Sequence, residues 1–495
     1  MLCKAACPAT CIQLVVLLSA WYGVACLKQQ PRVAIIGAGI GGTAAAYFLR
    51  EELGPEVHLD IFEQGEVGGR TQIWQNGSEV YEMGASIIHE ENKYFRELTD
   101  KMGLERVQLG DDSNEVSIWD GQAFVFNESA WSLVTLYRMI RRYGLSYFYM
   151  RGAPAETLQR YKRLYDIQAE GQAFDTPEEL LKAVDLYNLT QRTFRDELLG
   201  RIGWGTAAQK FAGEFVAGIN RIQYNQGNGI NAMAGMVSML GAIDGRLFNI
   251  KGGNRQLAER LIKASDASLH LGTRVTGIYR REHGTYELHT KCTSASLEES
   301  HSSKYDAVLV AVPLELTNIT ISGADHTGLP RRVYQRTVAT LVRGRLRPSY
   351  FGVQQVPKGE YVMVTENSTA PFSVVSRQRE VPEGRKVFKL FSRQPLSNET
   401  LQSIFQDLTV LAVRDWEAYP HFSPPERFQP FKLAPGLYLN NAWENAASAM
   451  EMSAVAAKNC ALLIARHLRE SSACQVPDAL IHSAKGSDVA TILDS

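Results

Sequence analysis

The sequence predicts an α/β chain in which a dinucleotide-binding fold of the Rossmann type is interrupted by a mixed α+β substrate domain. Three observations carry that prediction. A short apolar run, Val33-Ala-Ile-Ile36, is followed at once by Gly37-Ala-Gly39-Ile-Gly41-Gly42 and then by a helical pattern to about Leu53. A second run, Val57 to Phe62, ends in an acid, Glu63, 26 residues after Gly37. Far downstream, Asp306 to Pro313 and Leu437 to Asn440 return as apolar strands. The first is unbroken, as a parallel strand buried on both faces should be.

Strand, glycine loop, helix, strand and acid in that order are what a dinucleotide needs. Gly37 permits the tight turn, Gly39 lets backbone approach a pyrophosphate, and Gly42 lets helix and strand pack closely, with Gly41 in the same loop. The phosphates then rest on the positive end of the helix. Glu63 is placed to accept hydrogen bonds from the ribose hydroxyls. A glycine-rich turn alone would carry neither the flanking strands nor the acid.

Val67-Gly68-Gly69-Arg70 follows a few residues later. This second glycine pair brings more backbone to the same pyrophosphate, and Arg70 offers it charge-assisted bonds. The doublet resembles the two-dinucleotide-domain flavoproteins of the amine oxidase type, and the cofactor it implies is FAD. No second GxGxxG follows, so an oxidase reoxidised by oxygen fits better than a reductase with its own NAD(P)H site. Gly252-Gly253-Asn254 begins a helix, and Gly272-Thr-Arg-Val275 leads into a strand of the kind that covers the adenine. Asn441-Ala-Trp-Glu444 leads into a long Ala- and Met-rich helix, containing Met450 and reaching about Leu468. In this fold that helix points its N-terminus at the flavin and stabilises negative charge there.

The remaining features bound the setting. A chain of 495 residues suggests two or three domains. The parts are expected as a signal peptide (1–26), an FAD-binding domain (27–110, 245–325 and 430–470), a substrate domain (111–244 and 326–429) and a loosely ordered tail (471–495). Lys plus Arg number 52 against 53 Asp plus Glu, so no global excess of cations points to nucleic acid. Lys4, the apolar stretch Cys11 to Ala20, and the small residues Gly23 and Ala25 read as a cleaved signal. Six sequons follow it, at Asn76, Asn127, Asn188, Asn318, Asn367 and Asn398. Together they imply a glycoprotein of the secretory pathway, lysosomal or secreted. Cys292, Cys460 and Cys474 are too scattered for a zinc site, so no metal is expected. Cys460 reads as a free buried thiol or as the partner of Cys474.

The first insertion is rich in aromatics: Trp131, Tyr137, Tyr143, Tyr147, Phe148 and Tyr149, interleaved with Arg138, Arg141 and Arg142. An apolar substrate channel, an amphipathic surface against membrane or lipoprotein, and a core helix with solvated arginines are all open readings. Tyr161 and Tyr165, four apart, read as packing. The second insertion, with Val333 to Leu346 and Tyr361 to Val375, reads mostly as strands.

The chain also resembles a particular family, the prenylcysteine oxidases. The resemblance spans about residues 33 to 468 and rests on Ile35-Ile-Gly-Ala-Gly-Ile-Gly-Gly42, Val67-Gly-Gly-Arg70, Tyr81-Glu-Met-Gly84-Ala-Ser-Ile-Ile-His89, Trp416-Glu-Ala-Tyr-Pro-His421 and Ala446-Ala-Ser-Ala-Met-Glu-Met-Ser453. It implies an FAD oxidase that cleaves the thioether of farnesyl- or geranylgeranyl-cysteine, with O2 and water, to cysteine, a prenyl aldehyde and hydrogen peroxide. It also implies cofactor contacts at Gly84, Val275, Glu444 and Met450, and makes His89 the candidate for handling the water proton. The carbon between sulfur and an alkene loses hydride readily, because both spread the positive charge; water then adds and the hemithioacetal collapses. Such chemistry needs a cofactor and a dry pocket more than a strong acid or base. Related amine oxidases tether flavin through a cysteine near the C-terminal helix, whereas Gly436 to Glu451 holds neither Cys nor His, so the FAD is expected to be non-covalent. Two rivals stand beside this reading: an FAD amine oxidase of the same fold, and a non-catalytic prenyl- or lipid-binding protein.

Overall fold

Arg32–Ile36 is hydrogen-bonded in parallel to His58–Glu63 on one edge and to Ala307–Val310 on the other. Val33, Ala34 and Ile35 are fully buried there, which explains their unbroken apolar character. In this computed structural model, which describes residues 30–109, 115–293, 300–323, 328–380 and 386–473, the strands form a six-stranded sheet. Its order is Ser268–Leu271, His58–Glu63, Arg32–Ile36, Ala307–Val310, Leu437–Leu439, Lys432–Ala434, parallel except for the last pair. The expected signal peptide and the tail beyond Ala473, with Cys474, lie outside the described residues.

Helix Ile40–Leu53 follows the glycine loop and packs against the C-terminal helix Met450–Ala473, which runs five residues past the expected Leu468. Small residues make that contact close. Ala44, Ala45 and Ala46 are buried on one helix and Ala454, Ala456, Ala457 and Ala461 on the other. A four-stranded sheet, Ser300–Tyr305, Tyr286–Cys292, Thr273–Arg280 and Thr320–Ser322, stands beside the parallel one.

Both insertions contribute to one seven-stranded sheet. Val116–Trp119 from the first pairs in parallel with Tyr361–Val364 from the second, and the order is completed by Phe124–Asn127 on one side and Val374–Glu380, Lys386–Ser392, Tyr334–Leu346 and Phe405–Pro420 on the other. The helices of the first insertion fill the space between this sheet and the C-terminal helix. Gly152–Ala169 packs against both Ala232–Asp244 and Met450–Ala473. At Gly235 a Cβ would lie 2.0 Å from the Phe194 ring, so glycine there admits the aromatic.

The aromatic stretch divides in a way the sequence did not separate. Tyr143 is fully buried, whereas Trp131 is 76% and Tyr137 and Tyr149 are each 64% exposed. Trp131 caps helix Ser132–Tyr143, the others lie on that helix and on Ser146–Met150, and none lines either cavity described below. The substrate-channel reading of this stretch is therefore corrected: most of it is surface. No helix among the described residues is long and apolar enough to cross a membrane.

Candidate active site

The two glycine loops lie side by side. Gly68 N–H donates to Ala38 C=O at 2.9 Å, and Gly39 and Gly68 form a parallel bridge. Gly37 turns the chain at φ +105°, out of reach of most L side chains. A Cβ on Gly42 would lie 2.0 Å from Gly37 C=O and one on Gly41 2.3 Å from Asn440 Nδ2, so both are glycine for packing. Gly39 is different. Its backbone is extended, and the nearest atom to an added Cβ is Gly69 Cα at 3.8 Å. Helix Ile40–Leu53 has no side-chain cap at its N-terminus, which leaves backbone N–H groups for an anion. A pyrophosphate fits this cradle.

Next to the cradle is a cleft with about 890 Å³ of free space, lined by Gly37, Glu63, Thr273 to Thr276 and Leu316 to Ile319. Glu63 Oε2 accepts from Ala38 N–H at 2.9 Å and Oε1 from Gly65 N–H at 2.8 Å. Each oxygen keeps a further lone pair for a ribose hydroxyl. Val275 is buried in the cleft wall, where the adenine side was expected.

Three expectations are revised by the geometry. Arg70 does not reach over the glycine cradle; its guanidinium pairs with Glu444 and donates to Ala418 C=O at 2.7 Å. Glu444 also accepts from Tyr334 O–H at 3.0 Å, Asn441 Nδ2 at 3.1 Å and Ser448 O–H at 3.0 Å. Burial would raise this carboxyl, but Arg70 and Arg332 hold it below the ordinary range. A buried carboxylate recruits the nearest cation, so Arg70 and Glu444 serve each other. Gly84 leaves room for protein rather than ligand, since a Cβ would lie 2.1 Å from Arg70 C=O and 2.6 Å from the Trp416 ring. Met450 begins the C-terminal helix, but Ala449, Glu451 and Met452 are the neighbours that line a cavity.

That cavity is the feature sequence reading missed. Its wall is mostly apolar, with Ile87, Met233, Met236, Val237, Leu240, Leu247 and Met452, and its polar members include His89, Tyr161 and Glu451. His89 Nδ1 accepts from Glu91 N–H at 3.1 Å, so a neutral ring carries its proton on Nε2. His89, the candidate for handling the water proton, lines this cavity. Tyr161 stacks on Trp443 with centroids 6.4 Å apart; it lines the cavity, and Tyr165 bonds to Glu451 at 2.7 Å. Both do more than the packing expected of them. The one available signal was Glu451 itself, a lone acid within Ala446 to Ser453.

Comparison with known proteins follows this geometry. A family model described as prenylcysteine lyase matches residues 126–478, and one described as an NAD(P)-binding Rossmann-like domain matches residues 35–102. Prenylcysteine oxidase 1 of Pongo abelii is 36% identical over 462 residues, covering 88% of this chain and 89% of that one. Farnesylcysteine lyase of Arabidopsis thaliana is 35% identical over 463 residues, covering 89% of each chain. Among solved structures, cyclohexylamine oxidase from Brevibacterium oxydans IH-35A aligns at TM-score 0.57 and 16% identity over 89% of this chain and 100% of that one, a likeness of fold. The chain belongs to the prenylcysteine lyase family.

Proposed function

We propose that this protein is an FAD-dependent thioether oxidase that cleaves prenyl-L-cysteines, consuming O2 and water and giving cysteine, a prenyl aldehyde and hydrogen peroxide. The observation that carries this reading is the apolar cavity at the start of the C-terminal helix, in a chain whose glycine cradle keeps space at Gly39 for a pyrophosphate. Peroxide release from S-farnesyl-L-cysteine, set against simple amines, is the test. Peroxide from amines but not from the thioether would favour the amine-oxidase rival. A purified protein with no visible flavin absorbance would favour the non-catalytic binder.

When bound, FAD supplies a hydride acceptor and passes the electrons to oxygen. The chain supplies the surroundings. Gly37 to Gly42, Gly68 and Gly69 hold the pyrophosphate and Glu63 the ribose. Met233, Met236, Val237, Leu240, Leu247 and Met452 exclude bulk water from the prenyl chain, so the cation left on the substrate carbon meets only water admitted with it. His89 lines the same space and is the candidate for handling the water proton. The cofactor is held without a covalent bond: Cys460 is buried beside Leu439 and lies 16 residues past Glu444.

The route is secretory, with the product lysosomal or secreted. Its support is the signal pattern at 1–26 and the exposure of Asn76, Asn188, Asn367 and Asn398. Asn127 is only half-exposed, with its Oδ1 buried, and Asn318 lines the cofactor cleft, so these two are the sequons expected to stay bare. Glycopeptide mapping checks this; loss of the signal without a mass change on deglycosylation would refute it. The exposed face of Ser132–Tyr143 and Ser146–Met150, with Trp131, Leu133, Tyr137 and Tyr149 beside the exposed cations Arg138 and Arg141, suits peripheral attachment to an anionic lipid surface. Co-sedimentation with phosphatidylserine vesicles should fall for Trp131→Ser combined with Tyr137→Ser; unchanged binding would exclude this face.

A further inference from the structure

We propose that Glu451 is the specificity-determining anchor for the α-ammonium group of the substrate, an inference that rests on the functional reading above. Among the described residues, Glu451 is the only carboxylate that lines the cavity, and no Lys or Arg lines it. It is 3% exposed. Oε1 accepts from Tyr94 N–H at 2.9 Å and Tyr165 O–H at 2.7 Å, and Oε2 from Phe95 N–H at 2.8 Å.

Those three donors are neutral. Two are N–H groups in the first turn of helix Lys93–Lys101, so a helix end and a phenol hold the carboxyl in place without supplying a full positive charge. A buried anion among apolar side chains calls for a cation of its own. An amino-acid thioether brings one: a long apolar chain that fits Met233, Met236 and Leu240, with an ammonium a few bonds from the sulfur. Tyr161 stands in the same wall, nine-tenths buried, and its hydroxyl has no hydrogen-bond partner among the described residues. The cavity thus holds one unpartnered hydroxyl beside its one carboxyl, a group that an entering ammonium would keep ionised. Tyr165 is a positioning residue that aims Glu451; Glu451 is the group that touches substrate.

The experiment compares S-farnesyl-L-cysteine with S-farnesyl-3-mercaptopropionate, which keeps the thioether and carboxylate but lacks the amine. Wild-type holoenzyme should prefer the amino substrate in kcat/KM on the order of 100-fold, as loss of one partner from a buried charge pair implies. Glu451→Gln should lower turnover of farnesylcysteine by a similar factor and leave the des-amino compound within about 3-fold, so the preference collapses. If wild type oxidises both compounds equally, or if Glu451→Gln slows both equally, Glu451 is only a cap for helix Lys93–Lys101 and the inference is overturned. Should the amide variant fail to fold, Glu451→Asp keeps the charge but withdraws it by one methylene. A loss confined to the amino substrate then supports the anchor, and an equal loss overturns it. No peroxide from wild type with either compound would instead overturn the functional reading, and this inference with it.

Discussion

Gly39 and Gly42 stand three residues apart, one at the cap and one in the first turn of helix Ile40–Leu53, yet the structure assigns them different duties, and alanine at each should separate those duties. At Gly42 the new methyl would sit 2.0 Å from Gly37 C=O and 3.2 Å from Ile35 Cγ2. Backbone cannot rotate aside, so the overpacking belongs at the upper end of its usual range, about 3 kcal/mol. The better helix propensity of alanine returns about 1 kcal/mol, for a net loss of about 2 kcal/mol. At Gly39 the backbone is φ −77°, ψ −178°, open to any residue, and the nearest atom is 3.8 Å away. Apoprotein stability should therefore change by no more than about 0.5 kcal/mol. The methyl would instead occupy the ledge between the two glycine loops where a pyrophosphate must approach. Each charge-assisted hydrogen bond lost there is worth about 1.5–3 kcal/mol, tenfold or more in flavin affinity. The assay is paired: thermal unfolding of deflavinated protein, and flavin absorbance per protein after reconstitution. Gly39→Ala, and more so Gly39→Val, should lose flavin with the apoprotein intact, whereas Gly42→Ala should lower both. Wild-type flavin content in Gly39→Val, or an apoprotein as weakened as Gly42→Ala, would refute the reasoning.

Other outcomes follow from the buried charges and the cofactor linkage. Arg70→Met strips Glu444 of its nearest cation and should cost the apoprotein about 3 kcal/mol, the low end for a broken buried pair because a third of the Arg70 side chain is exposed; adding Glu444→Gln should recover part of it in chemical denaturation. Burial pushes the Glu451 carboxyl up to about 7, against hydrogen bonds from Tyr165, Phe95 and Tyr94 and with Glu97 adding to the rise; His89 and Tyr161 share its cavity. The folded protein then binds more protons than the unfolded chain between about pH 4.5 and 7. Stability from this group falls as pH rises through that window, by about 3 kcal/mol relative to Glu451→Gln, and parallel pH curves for the two proteins would contradict it. Acid precipitation should leave yellow colour in the supernatant; flavin that pellets with the protein would show a covalent link.

The cofactor half was legible because its constraints are local in sequence. Val33 to Ile36, the glycine loop and Glu63 each report a single strand, turn or strand end, and the structure places them at Arg32–Ile36, before Ile40–Leu53 and at the end of His58–Glu63. The late strands followed from their apolar runs. Side-chain destinations were less legible. Arg70 reads as a phosphate ligand because it follows two glycines, but its partner Glu444 is 374 residues away, and nothing near Arg70 announces a competing carboxylate. Gly84 reads as cofactor cradle until Trp416, also far away in the chain, fills its space. Period alone also cannot separate a core helix from a surface one: Ser132–Tyr143 buries Met139 and Tyr143 and turns Trp131, Leu133 and Tyr137 outward.

The substrate cavity was hidden for a related reason, and Glu451 shows it most clearly. Its neighbours come from five separated stretches: Ile87 to Asn92, Pro154 to Tyr161, Gln223, Met233 to Leu247, and Ala449 to Met452. No stretch alone has a chemical pattern. Within Ala446 to Ser453 an acid at the second position of a helix reads as an ordinary match to that helix's own dipole. The structure shows instead that the carboxylate turns to the N-terminus of a different helix, Lys93–Lys101. The carboxyl is thereby held in the cavity wall with no Lys or Arg beside it among the described lining residues. A helix dipole can orient a carboxyl but brings no mobile charge of its own, so the group remains available to pair with a cation that enters. That selectivity is a property of the assembled wall, with its missing Lys and Arg as much as its one Glu, and so becomes visible only when all five stretches are brought together.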